Sequence, residues 1–311
     1  MEVRSRTRIP VILDTDIGSD IDDTWALSLL LKSPELDAKL VVTETGNTTY
    51  RAKIVAKMLE VAGREDIPVG IGIHQNDRLG PQSAWVEGYD LSAYPGVVHE
   101  DGLRVLIDTI MGSDEPITLI CIGPVPNIAA ALEIQPSIAE HIRFVGMHGC
   151  LRRSPPEYEG SGGAVAEYNV ATDPKACRKV FTAPWEMTIT PLDTCGFVRL
   201  TGPKYRAVRE CKDPLVQALI ENYRIWLSSG KGQWREEFEA RSSILFDTVA
   251  VYLSFSEELL LMERLGLRVT DDGYTVIDDK AKAINCATGW RDLSAFESLL
   301  IKRLTGKSNE Q

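Results

Sequence analysis

Five aspartates stand within ten residues near the start of this sequence, on both sides of Gly18: Asp14, Asp16, Asp20, Asp22 and Asp23. Carboxylates this close together repel one another strongly unless a cation or shared protons relieve the repulsion. Because every candidate ligand is an oxygen atom, the cluster indicates a hard divalent ion. Ca²⁺ fits best, since it accepts six to eight oxygen ligands in irregular geometry, whereas Mg²⁺ requires a nearly perfect octahedron.

Helix capping and an EF-hand loop each account for less of the cluster. Aspartate is a common helix N-cap, and we expect one of Asp20, Asp22 and Asp23 to have that role. A cap and a favourable interaction with the helix dipole would explain two carboxylates, but not five. An EF-hand loop starting at Asp14 does not fit, because it would need ligands at positions that are glycine and tryptophan here.

The flanking segments place the cluster at the end of a strand. Residues 9–13 form an apolar run typical of a short buried strand, and residues 24–31 have the composition of a buried helix. Strand-like and helical patterns continue to alternate, which indicates an α/β fold with a mainly parallel central sheet flanked by helices. We predict a single domain over residues 1–311, with a C-terminal hairpin over 259–277 and a last helix over 292–304. In open α/β sheets, ligands bind at the carboxyl ends of the strands.

Three long stretches are rich in polar residues and glycine: residues 74–100, 150–166 and 228–243. Loops of this length inside a compact domain are usually functional or mobile. We therefore expect them to include lids over a site.

The composition excludes several classes of function. With 311 residues, 44% hydrophobic and 25% charged, the chain has the profile of an ordinary globular protein. Its net charge of −11, without a run of Lys and Arg, argues against a nucleic-acid partner and against an anionic membrane surface. Because we find neither a secretory signal nor an apolar stretch long enough to span a membrane, we expect a cytoplasmic protein. The six cysteines form no C-x-x-C pair, so we expect reduced thiols and no zinc site.

Four further strings stand where predicted strands end or predicted helices begin. They are Gly46-Asn47, the segment 122–127, Glu167-Tyr168-Asn169 and the segment 245–251. The first three offer amide or carboxylate groups that can hold hydroxyls, and the fourth places one acid at the start of an apolar helix. Taken singly, their glycines have the role of turn residues, and their asparagines and aspartate that of helix caps.

Together and in this order, the strings resemble the calcium-dependent nucleoside hydrolases, the inosine-uridine preferring family, over nearly the whole chain. The most specific element is the D-x-D-x-G-x-D cluster with paired aspartates before a helix. The resemblance implies hydrolysis of the N-glycosidic bond of a ribonucleoside, or a close analogue, by a Ca²⁺-activated water that attacks an oxocarbenium-like sugar. It also implies a small-molecule nucleoside substrate and a homo-oligomer, either a dimer or a tetramer.

The resemblance also assigns roles to individual residues. The metal would be held by Asp16, Asp23, Asp247 and the backbone carbonyl of Pro126. The ribose would be bound by Asn47, Glu167 and Asn169, with Met147 beneath the sugar and Ser161 at its 5′ end, where many members have asparagine. The nucleobase would contact Phe246, Trp226 and Trp234, whose aromatic faces can stack on it.

The sequence departs from the family pattern at two catalytic positions. The loop after Asp16 is two residues longer than usual, so two alignments are possible. Alignment through the helix that follows the loop makes Asp22 the catalytic base, whereas counting from Asp16 makes Asp20 the base. We favour Asp22. Many members have a histidine before the late aspartate to protonate the leaving base, and that position is Phe246 here. The candidates to replace it are Tyr223, Trp226, Trp234 and His148, each with core packing or a turn role as the alternative.

Two hypotheses come from different classes of protein. Asp14 and Asp16 after a strand also match a haloacid-dehalogenase-like Mg²⁺ phosphatase, with Asp14 as nucleophile and Asp278 and Asp279 as the late acidic pair. In that enzyme the later aspartates of the cluster would have no role. The second hypothesis is a non-catalytic riboside-binding protein that lost turnover when phenylalanine took the position of the acid.

Overall fold

The computed structural model describes residues 8–156, 162–230 and 233–306. In these residues the strands are β1 (Ile9–Thr15), β2 (Leu36–Thr43), β3 (Val69–Ile71), β4 (Val98–His99), β5 (Ile117–Cys121), β6 (Ile142–Met147), β7 (Glu186–Thr190), β8 (Leu260–Val269), β9 (Thr275–Ile277) and β10 (Ala283–Trp290). The helices are α1 (Asp22–Leu31), α2 (Thr48–Ala62), α3 (Gly102–Met111), α4 (Pro126–Ile134), α5 (Tyr168–Thr172), α6 (Pro174–Thr182), α7 (Leu192–Cys195), α8 (Gly202–Arg209), α9 (Pro214–Ser229), α10 (Trp234–Ala240), α11 (Thr248–Leu253) and α12 (Leu293–Thr305).

The strands form one sheet in the order β4-β3-β2-β1-β5-β6-β7-β10-β8-β9. Pairing is parallel from β4 to β10 and antiparallel at β10–β8 and β8–β9. The predicted α/β class with a mainly parallel sheet is therefore confirmed. The strand order reverses at β1, which pairs with β2 on one side and β5 on the other, and open α/β sheets bind ligands outside such a reversal.

Apolar side chains cover both faces of β1, which explains why its sequence is a continuous apolar run rather than an alternating one. Val11 and Leu13 belong to a hydrophobic core with α1, α2, α9, α11 and α12, whereas Ile12 belongs to a second core with α3, α4 and α6. Successive side chains of a strand point to opposite faces, so the sheet lies between two layers of helices. This double cover fixes the carboxyl end of β1, where the aspartates follow.

Some elements differ from the sequence-based expectation. The hairpin of β8 and β9 forms as predicted, but β10 was not predicted; it joins that hairpin to the parallel part of the sheet. The stretch 74–100 contains β4 and two short 3₁₀ helices, and the stretch 228–243 contains α10. Among the described residues, no helix combines the length and the apolar character needed to cross a membrane.

Candidate active site

The first acid lies in strand β1, the second directly follows that strand, and the last two begin helix α1. Asp14 lies in β1, while Asp22 and Asp23 form the first turn of α1, where their charge is favourable to the helix dipole. The expectation of an aspartate N-cap was wrong, because the N-cap is Ile21 and makes no side-chain cap bond. Asp20 is exposed, and its Oδ1 accepts a hydrogen bond from the Ile21 N–H at 2.6 Å.

Three buried carboxylates converge in front of α1. Oxygen atoms of Asp22, Asp23 and Asp247 all lie within 4.8 Å of one another. Asp247 reaches this position because it directly precedes α11, which packs against α1. Burial raises the pKa of all three carboxyls well above the usual range, and the neighbouring negative charges add to the effect. The Thr15 hydroxyl donates a hydrogen bond to Asp23 and so fixes one of its oxygens.

Asp16 lies beside the buried guanidinium of Arg51, which sequence reasoning did not identify. The Arg51 Nη2 atom is 3.9 Å from Asp16 Oδ2 and 2.8 Å from the Ser19 hydroxyl. The same guanidinium donates to the backbone carbonyls of Asp16, Ile17 and Thr45. Burial raises the pKa of Asp16, and the Arg51 charge partly offsets that rise. Arg51 therefore holds the loop after β1 in shape and supplies one positive charge close to the acids.

A cavity of about 370 Å³ opens in front of these acids. It is lined by Asp16, Ser19, Asp20, Asp22, Asp23, Ile122, Met147, Glu167, Tyr168, Asn169, Trp226, Phe246 and Asp247. Most of the residues expected at the metal, sugar and base positions therefore share one cavity. Its size is within the range typical of small-molecule sites. Ser19, Ile122 and Tyr168 also line it, and sequence reasoning had assigned them no separate role.

Glu167 and Asn169 line the same cavity and are held by backbone groups. Glu167 caps α5, and its carboxylate accepts backbone hydrogen bonds from Gly149, Asn169 and Val170 at 2.7 to 3.2 Å. Burial raises the pKa of Glu167 to about 7, and these hydrogen bonds limit the rise. The Asn169 amide nitrogen donates to the Met147 carbonyl at 3.0 Å. The backbone thus holds both side chains in place before any ligand binds.

Four of the expected site residues do not line this cavity or cannot be placed. Asn47 caps α2 by accepting a hydrogen bond from the Tyr50 N–H at 3.0 Å, and it lines a separate groove. Trp234 lines a neighbouring groove, which it shares with Trp226. Pro126 begins α4 and is buried, and it does not line the cavity. Ser161 lies outside the described residues.

The candidates to replace the missing histidine have different positions. His148 is fully buried, and its Nε2 lies 2.9 Å from the Gly123 carbonyl oxygen. Burial lowers its pKa to about 4. These contacts agree with the alternative role, that of a hydrogen-bonded turn residue. Tyr223 is buried in the core and stacks on Trp226, with 6.1 Å between ring centroids. Trp226 does line the cavity, but its Nε1–H donates to the Ser19 carbonyl at 3.3 Å. No histidine lines the cavity among the described residues.

The residues required by the phosphatase hypothesis do not come together. Asp14 does not line the cavity, and its carboxylate accepts a hydrogen bond from the Asn127 amide at 2.8 Å. Asp278 accepts one from Arg268 at the surface. A buried Asp14 cannot meet a phosphate in the cavity, so the structure does not favour a phosphatase.

Comparison with known proteins agrees with the geometry of the site. Residues 11–297 match the family model described as inosine-uridine preferring nucleoside hydrolase. The non-specific ribonucleoside hydrolase RihC of Klebsiella pneumoniae is 34% identical over 230 residues, which are 70% of this chain and 73% of that protein. The probable uridine nucleosidase 2 of Arabidopsis thaliana is 26% identical over 302 residues, 92% of this chain and 90% of that one.

Solved structures share the fold. A plant nucleoside hydrolase superposes with a TM-score of 0.80 at 24% identity, covering 97% of this chain and 100% of its own. The purine-preferring ribonucleoside hydrolase from Gardnerella vaginalis superposes with a TM-score of 0.76 at 23% identity, covering 96% and 98%. At these identities the likeness is evidence for the architecture.

Proposed function

Because the chain belongs to the inosine-uridine preferring nucleoside hydrolase family, which cleaves the N-glycosidic bond of ribonucleosides, we propose that it does so with a Ca²⁺ ion held by its buried aspartates. The observation that carries this proposal is the convergence of Asp22, Asp23 and Asp247 in a cavity shared with Asn169. Acids for a cation and an amide for sugar hydroxyls therefore face the same space.

The residues present fit a divalent cation. Two oxygens bound to one Ca²⁺ at 2.3 to 2.6 Å are separated by at most about 5 Å, and the three clustered carboxylates satisfy that limit. The pKa values of these three carboxyls are raised because several negative charges are buried close together, with the Arg51 guanidinium as a nearby positive charge. In the part of the chain that the structure describes, the donors that line the cavity are mainly oxygen atoms, without histidine or cysteine, which favours a hard ion such as Ca²⁺ over zinc.

We assign Asp23 and Asp247 of this cluster as ligands, together with Asp16, which lines the same cavity. The carbonyl of Pro126, which does not line the cavity, is added because the family resemblance implies it. When bound, the ion would supply Lewis acidity that lowers the pKa of a coordinated water and orients the ribose diol. Arg51 lies against Asp16 rather than against Asp23 or Asp247. It therefore reduces the net negative charge of the site but does not occupy the position proposed for the ion.

Asp22 is supported over Asp20 as the proton acceptor. Asp22 is buried in the cavity wall against Asp247, while Asp20 is exposed and already accepts a backbone hydrogen bond. Burial, and then the charge of Asp20, raise the pKa of Asp22. Burial also raises the pKa of Asp20, to about 6, so the pKa shifts do not separate the two acids and the assignment rests on their positions.

The ribose is proposed to lie between α1 and the wall that carries Glu167 and Asn169. Both side chains are fixed by backbone contacts, so little further ordering is needed when the sugar hydroxyls bind. The acids nearby suit the positive charge that develops on the sugar ring. The position of Asn47 outside the cavity does not support a direct contact with the ribose.

Trp226 and Phe246 are proposed to contact the base at the other end of the cavity. An aromatic ring stacked on a base contributes about 1–3 kcal/mol. Since Phe246 cannot donate a proton, we expect bases that leave readily to be hydrolysed faster than poor leaving groups.

We further propose that the enzyme acts in the cytoplasm as a homo-oligomer, as the family resemblance implies. All six cysteines are free, which suits a reducing compartment. Light scattering of the purified protein tests the assembly, and a monomer at micromolar concentration would contradict it.

The function is tested by measuring hydrolysis of a nucleoside panel and of p-nitrophenyl riboside before and after removal of divalent ions. We expect chelation to abolish hydrolysis and added Ca²⁺ to restore it. The control variant Asn169→Ala should lower kcat/KM for every riboside while the affinity for Ca²⁺ stays within about twofold. Hydrolysis that persists after exhaustive chelation would contradict the metal-dependent mechanism.

A further inference from the structure

We propose that Glu44 is a positioning residue for the proposed metal site. It follows β2 directly and is completely buried, yet it does not line the cavity. No motif of the family resemblance includes it, and sequence reasoning did not identify it. This inference rests on the proposed function, because it takes the Pro126 carbonyl as a ligand of the ion.

Glu44 holds the turn that leads into α4. Its Oε1 atom accepts a hydrogen bond from the Val125 N–H at 3.1 Å, across 81 residues of sequence. Its Oε2 atom accepts one from the Thr45 hydroxyl at 3.2 Å. A buried carboxyl with both oxygens engaged is a rigid anchor, since breaking either contact would leave a polar group without a partner away from water.

The turn needs such an anchor because Val125 is strained. Its φ angle is +62°, in the left-handed region that β-branched residues rarely adopt. Strain of this kind persists only where the surroundings hold it. The next residue is Pro126. A change in the backbone angles of Val125 would therefore move Pro126, together with the carbonyl group that we propose as a ligand.

Gly123 leaves room for the anchor. A Cβ atom at this position would lie 2.3 Å from Glu44 Oε1 and 3.1 Å from Asp16 Oδ1. The Glu44 carboxyl therefore packs directly behind the turn and close to a proposed ligand. Asn127, on the far side of the turn, donates to Asp14 at 2.8 Å and accepts from the Ile73 N–H at 2.9 Å. The turn is thus held on both sides, by Glu44 and by Asn127.

The decisive experiment compares Glu44→Gln with Glu44→Asp. Glutamine keeps an acceptor at the length that reaches Val125 but removes the charge, whereas aspartate keeps the charge and withdraws the acceptor by about one methylene. We expect Glu44→Gln to bind Ca²⁺ within about threefold of the wild type. We expect Glu44→Asp to bind it at least about tenfold more weakly, by calorimetric titration, and to recover hydrolysis of p-nitrophenyl riboside at high Ca²⁺.

Matched controls come from Glu60, an exposed glutamate on α2 whose side chain accepts a hydrogen bond from Tyr89 at 2.7 Å. Glu60→Gln and Glu60→Asp should leave the Ca²⁺ affinity unchanged. A purely structural role of Glu44 would lower the melting temperature of both Glu44 variants without changing the Ca²⁺ titration, and that result would overturn the inference.

The reverse order, with the aspartate variant normal and the glutamine variant impaired, would also overturn it, because the charge rather than the hydrogen bond would then matter. Failure of the proposed function is recognised separately, in the wild type. A wild-type protein that neither binds Ca²⁺ nor loses activity on chelation would remove the metal site, and with it the role of Glu44.

Discussion

Asp22 and Asp247 come from distant parts of the sequence, yet their carboxyl oxygens lie within 4.8 Å of each other. The contact exists because α11 packs on α1 and both helices begin at the carboxyl edge of the sheet. Two buried acids in contact destabilise the protein unless a proton or a cation lies between them. Helix packing therefore provides the energy that assembles the acids, and the ligand offsets part of their repulsion.

The late aspartate gives the first prediction. Asp247→Ala removes both carboxylate oxygens from the cluster, and one negative charge with them. We expect the Ca²⁺ affinity and kcat/KM to fall by at least about 100-fold, since a ligand is lost rather than a supporting contact. Calorimetric titration and a riboside assay measure the two effects. If the variant keeps its Ca²⁺, Asp247 is not a ligand.

The choice of base gives the second prediction. Asp22→Asn should lower kcat by about 10²- to 10⁴-fold, because a positioned general base contributes that much. Asp20→Asn should change kcat by less than about threefold, since Asp20 is exposed and engaged with the Ile21 N–H. Each variant serves as the control for the other. Equal losses, or a larger loss in Asp20→Asn, would reverse the assignment.

Local patterns predicted much of the fold and the candidate site. Apolar runs and helix starts were visible in the sequence, and a parallel sheet brings the carboxyl ends of its strands to one edge. The segments after β1 and β5 therefore had to approach each other, as Asp16 and Ile122 do in the cavity. Asn169 and Asp247, which follow later strands, line the same cavity. The family resemblance supplied their order and roles.

The residues that were missed depend on contacts between distant segments. Glu44 has the local appearance of a polar residue at a strand end, and only its hydrogen bond to Val125 reveals its role. Arg51 has the appearance of a helix surface residue, although it is buried against the loop that follows β1. Asn47 matches a family motif but faces another groove, because motif identity does not fix the direction of a side chain.

The buried acids also predict how pH affects stability without the ion. Burial raises the pKa of Asp14 from 3.8 to about 7 and that of Glu167 from 4.5 to about 7. The folded state thus binds these protons more tightly than the unfolded state, so their stabilising effect is complete below about pH 4 and is lost as the pH rises through about 7.

We therefore expect the chelated protein to melt on the order of 5 °C lower at about pH 8 than at about pH 5.5, by differential scanning calorimetry. Added Ca²⁺ should raise the melting temperature more at the higher pH, because the ion binds only deprotonated ligands. Equal melting temperatures of the chelated protein at both pH values would contradict the destabilisation that we attribute to the ionisation of Asp14 and Glu167.

The last prediction concerns the leaving group. Phe246 lines the cavity beside Asp247, and the family resemblance implies an acid for the departing base at this position. Phe246→His should raise kcat for inosine by about tenfold or more, because an imidazole titrating near neutral pH can protonate a purine as the bond breaks. Hydrolysis of p-nitrophenyl riboside should change by less than about threefold, since that leaving group departs without a proton. An equal gain on both substrates would mean that histidine improves packing rather than acid catalysis, and no gain on inosine would mean that another group in the cavity already donates the proton.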